Sequence, residues 1–253
     1  MSGELTFDTK VWEQDYEVVL DPDRMRESIA RNQFTFATRR VVINNVRHPR
    51  RVLAMARRLV ALDIIDDVVL VDDYAVETLA YFGLTRESFG AGYVYSIAEL
   101  VALYLSTTEY LLHFSGDTVL DKPMDWIPPT LDLMRRRDDV VAANVVWNQD
   151  YAAVRSSAFD SDGDHFISYG FSDQMYLVRT DPFRTRIYEE TNSASARYPA
   201  YGGELFEKRV DSWMRNHERL RATWSLGSYT HSNIRRLEGR ARLRHGLGRG
   251  LRR

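Results

Sequence analysis

Short apolar runs alternate with amphipathic segments along most of the chain. The run RRVVINNV is rich in β-branched residues and ends in two asparagines, and residues 50 to 62 then carry apolar side chains at helical spacing. The next run, DVVLVDD, ends in two aspartates. A strand, a helix and a strand at this spacing predict a βαβ unit, which implies a parallel sheet with a right-handed crossover.

The alternation continues toward the C-terminus. A helix that begins at Ser96 leads to the strand EYLLHF, which stops at SGD, and a helix over residues 126 to 137 precedes the strand DDVVAANVVW. QMYLV predicts a further strand, residues 203 to 216 predict a helix, and RATW predicts a short last strand. This succession of strands and helices predicts an α/β fold with a mostly parallel central sheet flanked by helices.

Two segments are less regular. The alternating stretch from Tyr16 to Leu20 predicts an edge strand, and the polar segment between residues 148 and 169 predicts loops. No internal repeat and no Pro/Gly/Ser-rich linker divides the chain. We therefore expect a single domain over residues 1–233, followed by a basic tail over residues 234–253.

Composition narrows the class of protein. The 253 residues include 34 basic and 36 acidic side chains and no cysteine, which excludes disulfides, thiolate metal sites and cysteine nucleophiles. No apolar run approaches the roughly 18 residues of a membrane-spanning helix. The N-terminus lacks the basic-then-apolar pattern of a secretory signal, so we expect a cytoplasmic protein.

The tail differs in charge from the rest of the chain. Residues 234–253 carry eight arginines against Glu238 alone, so the remaining residues are acidic in balance. Such a tail either ends as a solvated segment or contacts anionic lipid as a peripheral anchor on the inner membrane face. The acidic body argues against nucleic acid as a partner.

Polar side chains follow three of the predicted strands. In an open parallel sheet, ligands bind beyond the carboxyl ends of the strands, so these side chains should meet at one edge. The chain contains neither a G-x-G-x-x-G nor a G-x-x-x-x-G-K-[ST] loop for phosphate and no G-x-S-x-G elbow. A bound diphosphate would therefore need a cation, and Asp117 is placed to hold Mn²⁺ or Mg²⁺.

The order of these segments resembles the GT-A glycosyltransferases, in particular the family 2-like enzymes that use nucleotide sugars, over about residues 41 to 231. The resemblance implies a GT-A (Rossmann-like) domain. VVINNVRHP and VVLVDDYA look like the two segments that hold the nucleoside after the first and second strands. SGD looks like the end of the family's DXD signature, with Ser115 in place of its first acid. The nucleotide-binding residues implied are Asn44, Asn45, Asp72, Asp73 and Ser115.

The resemblance also implies the remaining site residues. His231 would join Asp117 as a metal ligand, and Glu204 would be the general base at the start of a late helix, with Glu207 as the fallback because Leu205 takes the second place of the family's acidic pair. GFSDQMYLV resembles the segment that lines the sugar pocket. The sugar- and acceptor-binding residues implied are Asp173, Gln174, Gly202 and Gly203.

The activity implied is metal-assisted transfer of a sugar from a nucleotide-diphosphate sugar to a hydroxyl of a saccharide, lipid-linked or small-molecule acceptor. With Glu204 as the base the reaction inverts the anomeric carbon, and without it a retaining outcome stays open. Two alternatives stay open. A nucleotidyltransferase has a similar sheet, but it carries a glycine-rich basic loop after the first strand, and NNVRHPRR has no glycine. A catalytically silent nucleotide- or sugar-binding protein on the same fold would explain the incomplete SGD and GEL motifs.

Overall fold

The computed structural model describes residues 4–198 and 203–231. Gly202 and the tail over residues 234–253 lie outside the described residues, so the predicted domain boundary and the predicted membrane contact stay predictions. Among the described residues, no helix is long and apolar enough to cross a membrane. The strands are β1 Leu5–Val11, β2 Thr38–Ile43, β3 Asp67–Leu70, β4 Tyr110–Ser115, β5 Thr118–Leu120, β6 Val140–Trp147, β7 Asp160–Asp162, β8 His165–Ser168, β9 Met175–Arg179 and β10 Leu220–His231.

The helices fill the connections between these strands. They are α1 Tyr16–Val19, α2 Pro22–Ala30, α3 Pro49–Ala61, α4 Val71–Phe82, α5 Tyr93–Tyr104, α6 Ile127–Arg136, α7 Tyr151–Ser157, α8 Thr180–Phe183 and α9 Phe206–Asn216. Short 3₁₀ turns lie at Arg86–Ser88, Gly90–Gly92 and Ser193–Arg197.

The described strands form one sheet in the order β3-β2-β1-β4-β9-β6-β10-β8-β7, with β5 paired to β10. β1 to β4 are parallel to one another, β9 runs antiparallel between β4 and β6, and β10 is parallel to β6. The strands β1, β2, β3, β4, β6 and β10 therefore all point in one direction. This arrangement confirms the predicted α/β fold with a mostly parallel central sheet.

Successive residues of each strand face opposite sides of the sheet. Because apolar residues occupy both sides, helices cover both faces. In β2, Val41 and Ile43 belong to the core cluster that contains α3, and Val42 belongs to the cluster that contains α5. Helix α5 is buried over most of its length, including the charged residue Glu99. With both faces covered, the carboxyl edge of the sheet is left for a site.

Two sequence-based expectations about the elements are wrong, and one strand has no counterpart in the sequence prediction. Tyr16 to Leu20 is not an edge strand, because Tyr16–Val19 forms α1. Residues 148 to 169 are not only loops, since they contain α7, β7 and β8. The strand β1 was missed altogether, and it lies in the middle of the sheet between β2 and β4.

Because β1 precedes the strands predicted from the sequence, the first two of those strands come one place later in chain order than the family resemblance assumed. VVINNV ends the second strand and VVLVDD covers the third, so neither segment follows the first strand. β1 is hard to recognise because its sequence, LTFDTKV, places two charged residues in a strand that is buried along almost its whole length. Asp8 is fully buried, and its carboxylate lies 2.9 Å from Arg40 Nε and 2.8 Å from His113 Nδ1. Burial raises the pKa of Asp8, but Arg40 and His113 more than offset this and hold the pKa below its usual range.

Candidate active site

The turn after β4 and the end of β10 bring Asp117 and His231 together. β5 returns from this turn and pairs antiparallel with β10, which places His231 opposite Thr118. The Asp117 Oδ1 atom lies 3.0 Å from His231 Nε2, and the two side chains are 24% and 35% exposed. The hydrogen bond to Asp117 raises the pKa of His231. The two predicted metal ligands thus lie side by side in a position open to solvent.

Gly116 allows this turn to pack closely on the segment after β1. A Cβ atom at this position would lie 2.8 Å from Asp15 Oδ2, 2.8 Å from the Lys10 carbonyl oxygen and 2.9 Å from Val19 Cγ2. The Arg24 guanidinium donates to the Gly116 carbonyl at 3.2 Å. Glycine is therefore required in the middle of SGD by the space available, and it fixes where Asp117 lies.

Asp15 is a buried carboxylate beneath this turn. Its Oδ1 atom accepts a hydrogen bond from the Trp12 backbone N–H at 2.8 Å. Burial raises the pKa of Asp15 to about 7, and the nearby charge of Asp117 adds to the rise. Trp12 follows β1, and 44% of its surface is exposed. Its indole is therefore accessible to solvent at the carboxyl end of the first strand.

Lys10 is a second charged residue that the missed strand concealed. Its ammonium group forms an ion pair with Glu99 of α5, whose side chain is fully buried. Burial lowers the pKa of Lys10, but the negative charges of Glu99, Asp173 and Asp117 more than compensate and raise it. Lys10 is therefore a fixed cation between the sheet and α5, close to the two acidic residues of the site.

The loop before β9 places Asp173 at the centre of these charges. The Ser115 backbone N–H donates to the Gln174 carbonyl at 2.8 Å, and Ser115 Oγ donates to the Asp173 carbonyl at 3.2 Å. These bonds hold the loop against the end of β4. The Asp173 carboxylate helps to raise the pKa values of Lys10, His231 and Glu207. Ser115, Asp173 and Asp117 therefore lie in one cluster, although the sequence interpretation gave them three different roles.

The two candidate bases at the start of α9 have different surroundings. Glu204 forms ion pairs with Lys208 Nζ at 2.8 Å and with Arg209 Nε at 3.2 Å. Glu207, in the first turn of α9, accepts a hydrogen bond from the Asp173 backbone N–H. Burial and the Asp173 charge raise the pKa of Glu207 to about 8. Glu207, the fallback of the sequence interpretation, thus has the proton affinity of a general base near neutral pH.

Several solved structures with a similar architecture are glycosyltransferases. Glucosyl-3-phosphoglycerate synthase from Mycobacterium tuberculosis, in complex with Mn²⁺, uridine-diphosphate and phosphoglyceric acid, matches with a TM-score of 0.52 at 11% identity, over 91% of this chain and 71% of that chain. The same enzyme with Mg²⁺ and uridine-diphosphate gives a TM-score of 0.50 at 11% identity, over 91% of this chain and 72% of that chain. The chain has the GT-A fold.

Similarity at this level of identity establishes the fold and leaves the activity to the site. The galactosyltransferase LgtC in complex with donor and acceptor sugar analogs also matches, with a TM-score of 0.43 at 13% identity, over 86% of this chain and 72% of that chain. No protein-family model matches the sequence. No curated protein matches it either.

The predicted nucleoside residues lie at the expected edge of the GT-A sheet. The side-chain amides of Asn44 and Asn45, after β2, donate to the Val94 carbonyl at 3.0 Å and 2.6 Å and so fix the first turn of α5. Asp72 and Asp73 lie exposed in the first turn of α4, after the edge strand β3. Trp12 occupies the end of the true first strand, where the resemblance had placed the asparagines. A nucleotide-binding role for these residues stays a prediction.

Gly203 and Gln174 are the remaining predicted site residues that the structure describes. Gly203 has a φ of +66°, and a Cβ there would lie 3.3 Å from the Gly92 nitrogen and the Phe89 oxygen, so the backbone before α9 passes close to the start of α5. The Gln174 side-chain oxygen is buried and, within the described part of the chain, has no hydrogen-bond donor. Its predicted role toward a sugar hydroxyl stays a prediction.

Asp117 and His231 fit a divalent cation by the chemistry of their donor atoms. A carboxylate oxygen and an imidazole nitrogen suit Mn²⁺, and Mg²⁺ is often held by one or two carboxylates together with substrate phosphates and water. Within residues 4–198 and 203–231, no group of three or more His, Asp or Glu side chains forms a complete metal site. A cation here would therefore need further ligands from water or from a bound diphosphate.

Proposed function

We propose that the protein transfers a sugar from a nucleotide-diphosphate sugar to an acceptor hydroxyl. The observation that carries this proposal is the convergence of Asp117, His231, Asp173 and Glu207 at the carboxyl edge of a GT-A sheet. These residues come from four separate segments of the chain. An ion-binding pair beside a basic carboxylate is the combination that glycosyl transfer needs, because negative charge leaves on one side while a proton is removed on the other.

The donor side of the proposed reaction lies beyond β1 and β4. Asp117 and His231 would hold Mn²⁺ or Mg²⁺, which supplies positive charge to stabilise the departing diphosphate. Lys10 and Arg24 add fixed cations close to Asp117. The exposed indole of Trp12 offers an aromatic face to the base of the nucleotide.

The acceptor side of the proposed reaction centres on Glu207. The two ion pairs of Glu204 stabilise its charged form, whereas the partial burial of Glu207 favours proton uptake. We therefore assign the general base to Glu207, which removes the proton from the acceptor hydroxyl as that oxygen attacks the anomeric carbon. Attack from the face opposite the leaving group inverts the configuration at that carbon.

The alternatives have less support than glycosyl transfer. The loop after the true first strand reads WEQDY, without the glycines and basic residues of a nucleotidyltransferase. A silent binding protein on the same fold remains the second candidate, because Leu205 replaces one acid of the family's pair and Ser115 replaces another. Nucleotide binding without release of product from any nucleotide sugar would favour that candidate.

The testing experiment is a calorimetric titration of the full chain with UDP, GDP and TDP, with and without Mn²⁺. We expect one nucleotide to bind in a metal-dependent way, because the Asp117–His231 pair needs phosphate oxygens to complete the coordination of an ion. Asp117→Ala should abolish the metal dependence. The exposed Asp125→Ala is the matched control and should bind as the wild type does. Failure of all three nucleotides to bind would refute the proposal.

A further inference from the structure

The face of α9 that carries Glu207 continues into a cluster of arginines. Asp211 and Arg215 follow Glu207 at intervals of four residues and therefore lie on the same side of the helix. Asp211 is fully buried. Its carboxylate accepts hydrogen bonds from Ser195 Oγ at 2.6 Å, from Arg215 Nε at 2.9 Å and from Arg197 at 3.2 Å. One carboxylate thus holds two guanidinium groups.

A third arginine lies beside them. A Cβ at Gly170 would be 3.0 Å from an Arg197 nitrogen and 3.4 Å from an Arg221 nitrogen, so these two guanidinium groups lie next to each other across Gly170. Arg221 donates to Ser168 Oγ at 3.2 Å, and its Nε has no acceptor among the described residues. We call Arg197, Arg215 and Arg221 the arginine cluster.

The arginine cluster has more positive charge than its surroundings balance. Within the described residues, Asp211 is the one carboxylate that pairs with it, and Arg221 forms no ion pair. Burial lowers the pKa of Arg221, which means that its charged form is held there at a cost. A guanidinium group matches the planar oxygens of a carboxylate or the oxygens of a phosphate. A bound anion would therefore neutralise part of the positive charge and accept a hydrogen bond from Arg221 Nε.

The arginine cluster is both accessible and close to the proposed base. The Arg197 side chain is 51% exposed, so solvent and small molecules reach the cluster. Three residues beyond Gly170, Asp173 donates its backbone N–H to the Glu207 carboxylate. At about 3.6 Å per residue, the chain between Gly170 and Asp173 spans at most roughly 11 Å. A small molecule can therefore contact the cluster and Glu207 at the same time.

We propose that the arginine cluster binds an anionic group, a phosphate or a carboxylate, on the acceptor and so presents the acceptor hydroxyl to Glu207. This inference rests on the proposed glycosyl transfer for the acceptor role, whereas the anion site itself depends only on Arg197, Arg215 and Arg221. Such an acceptor is a small hydroxylated molecule with one negatively charged end. A neutral saccharide would leave Arg221 as it is now, partly buried and without an ion pair among the described residues.

The test is a titration of the full chain with inorganic phosphate and, separately, with acetate, followed by NMR of the arginine Nε–Hε signals. The Arg221 signal should shift on binding, because its Nε has an unused hydrogen-bonding capacity. In Arg221→Gln we expect the dissociation constant of the preferred anion to rise about tenfold, the effect of losing a charge-assisted bidentate contact. Arg219→Gln is the matched control. It lies two residues away and donates to the Asp138 carbonyl outside the cluster, so it should bind the anion normally.

Phosphate and acetate distinguish the two chemical forms of the acceptor, and the tighter of the two identifies its charged group. If Arg221→Gln does not fold, the more exposed Arg197→Gln should still weaken anion binding, by about threefold. Equal affinity in these variants and the wild type would overturn the inference, as would complete displacement of the anion by the nucleotide that binds in the calorimetric titration. Arginine-dependent anion binding without any nucleotide binding would instead refute glycosyl transfer and keep the anion site.

Discussion

Two neighbouring regions of the site carry opposite charge. Around Asp117, the four carboxylates of Asp15, Glu99, Asp117 and Asp173 outnumber the cations Lys10 and Arg24 and the imidazole of His231, and a diphosphate could join this region only together with a cation. Across Asp173, three arginines share the single carboxylate of Asp211. In the proposed reaction, a cation would complete the first region and an anion would complete the second. We infer from this contrast that charge would separate a donor from an acceptor at one sheet edge, with Glu207 between the two regions.

The largest expected effect is on the residue between the two regions. Glu207→Gln removes the proposed base but keeps the size of the side chain, so turnover should fall about 10³-fold, within the range for loss of general-base catalysis. Nucleotide binding should not change. The measurement is release of nucleoside diphosphate from the nucleotide sugar identified by calorimetry. Glu204→Gln is the matched control, and it should lose less than about tenfold. A larger loss in Glu204→Gln would reverse the assignment.

The pH dependence of turnover tests the same assignment. Burial raises the pKa of Glu207 to about 8, and a general base acts only when deprotonated. The rate should therefore be low in acid, reach half of its maximum near pH 8 and level off about one pH unit above that. A profile that is flat from pH 6 to pH 9, roughly the interval over which this group titrates, would contradict the role.

The next largest effect is expected from a substitution in the basic region. Asp211→Asn removes the carboxylate that holds Arg197 and Arg215, and it leaves two guanidinium groups without a counter-ion. Since loss of one partner of a buried ion pair is strongly destabilising, the free energy of unfolding should fall by about 3 kcal/mol. Urea unfolding measures this change. The exposed Asp138→Asn serves as the control and should alter stability by less than about 0.5 kcal/mol.

Part of the acidic region could be predicted from the sequence, because Asp117 follows an apolar strand. Only Ser115 and Gly116 separate Asp117 from EYLLHF, and the resemblance placed His231 with Asp117 although the two residues are far apart in the chain. The strand β1 escaped because Asp8 and Lys10 look like surface residues in the sequence. They are buried only because Arg40 and Glu99, from other elements, neutralise them.

The basic region had no comparable sequence signal. Arg197, Arg215 and Arg221 come from a 3₁₀ turn, a helix and a strand, and arginine is common throughout this chain, so no spacing relates them. The choice between Glu204 and Glu207 likewise needed three dimensions. Their positions in the sequence favour Glu204, whereas the ion pairs with Lys208 and Arg209 and the contact with Asp173 favour Glu207.

The smallest expected effect tests how the turn at Gly116 positions Asp117 in the acidic region. Gly116→Ala adds a methyl group where Asp15, Lys10 and Val19 leave less than 3 Å, so the turn must shift. Overpacking of this kind should destabilise the fold by about 2 kcal/mol. The shift should also weaken metal-dependent nucleotide binding, because Asp117 is the next residue.

The control for this substitution is Gly163→Ala in the turn between β7 and β8. Gly163 has a φ of +56° and open space around its Cα, so alanine there costs only the left-handed backbone conformation, about 1 kcal/mol. Nucleotide binding should be normal in this control. If Gly116→Ala bound the nucleotide with metal as tightly as Gly163→Ala, the position of Asp117 would not depend on the close packing of its turn. The ion site would then be set by the pairing of β5 with β10 alone.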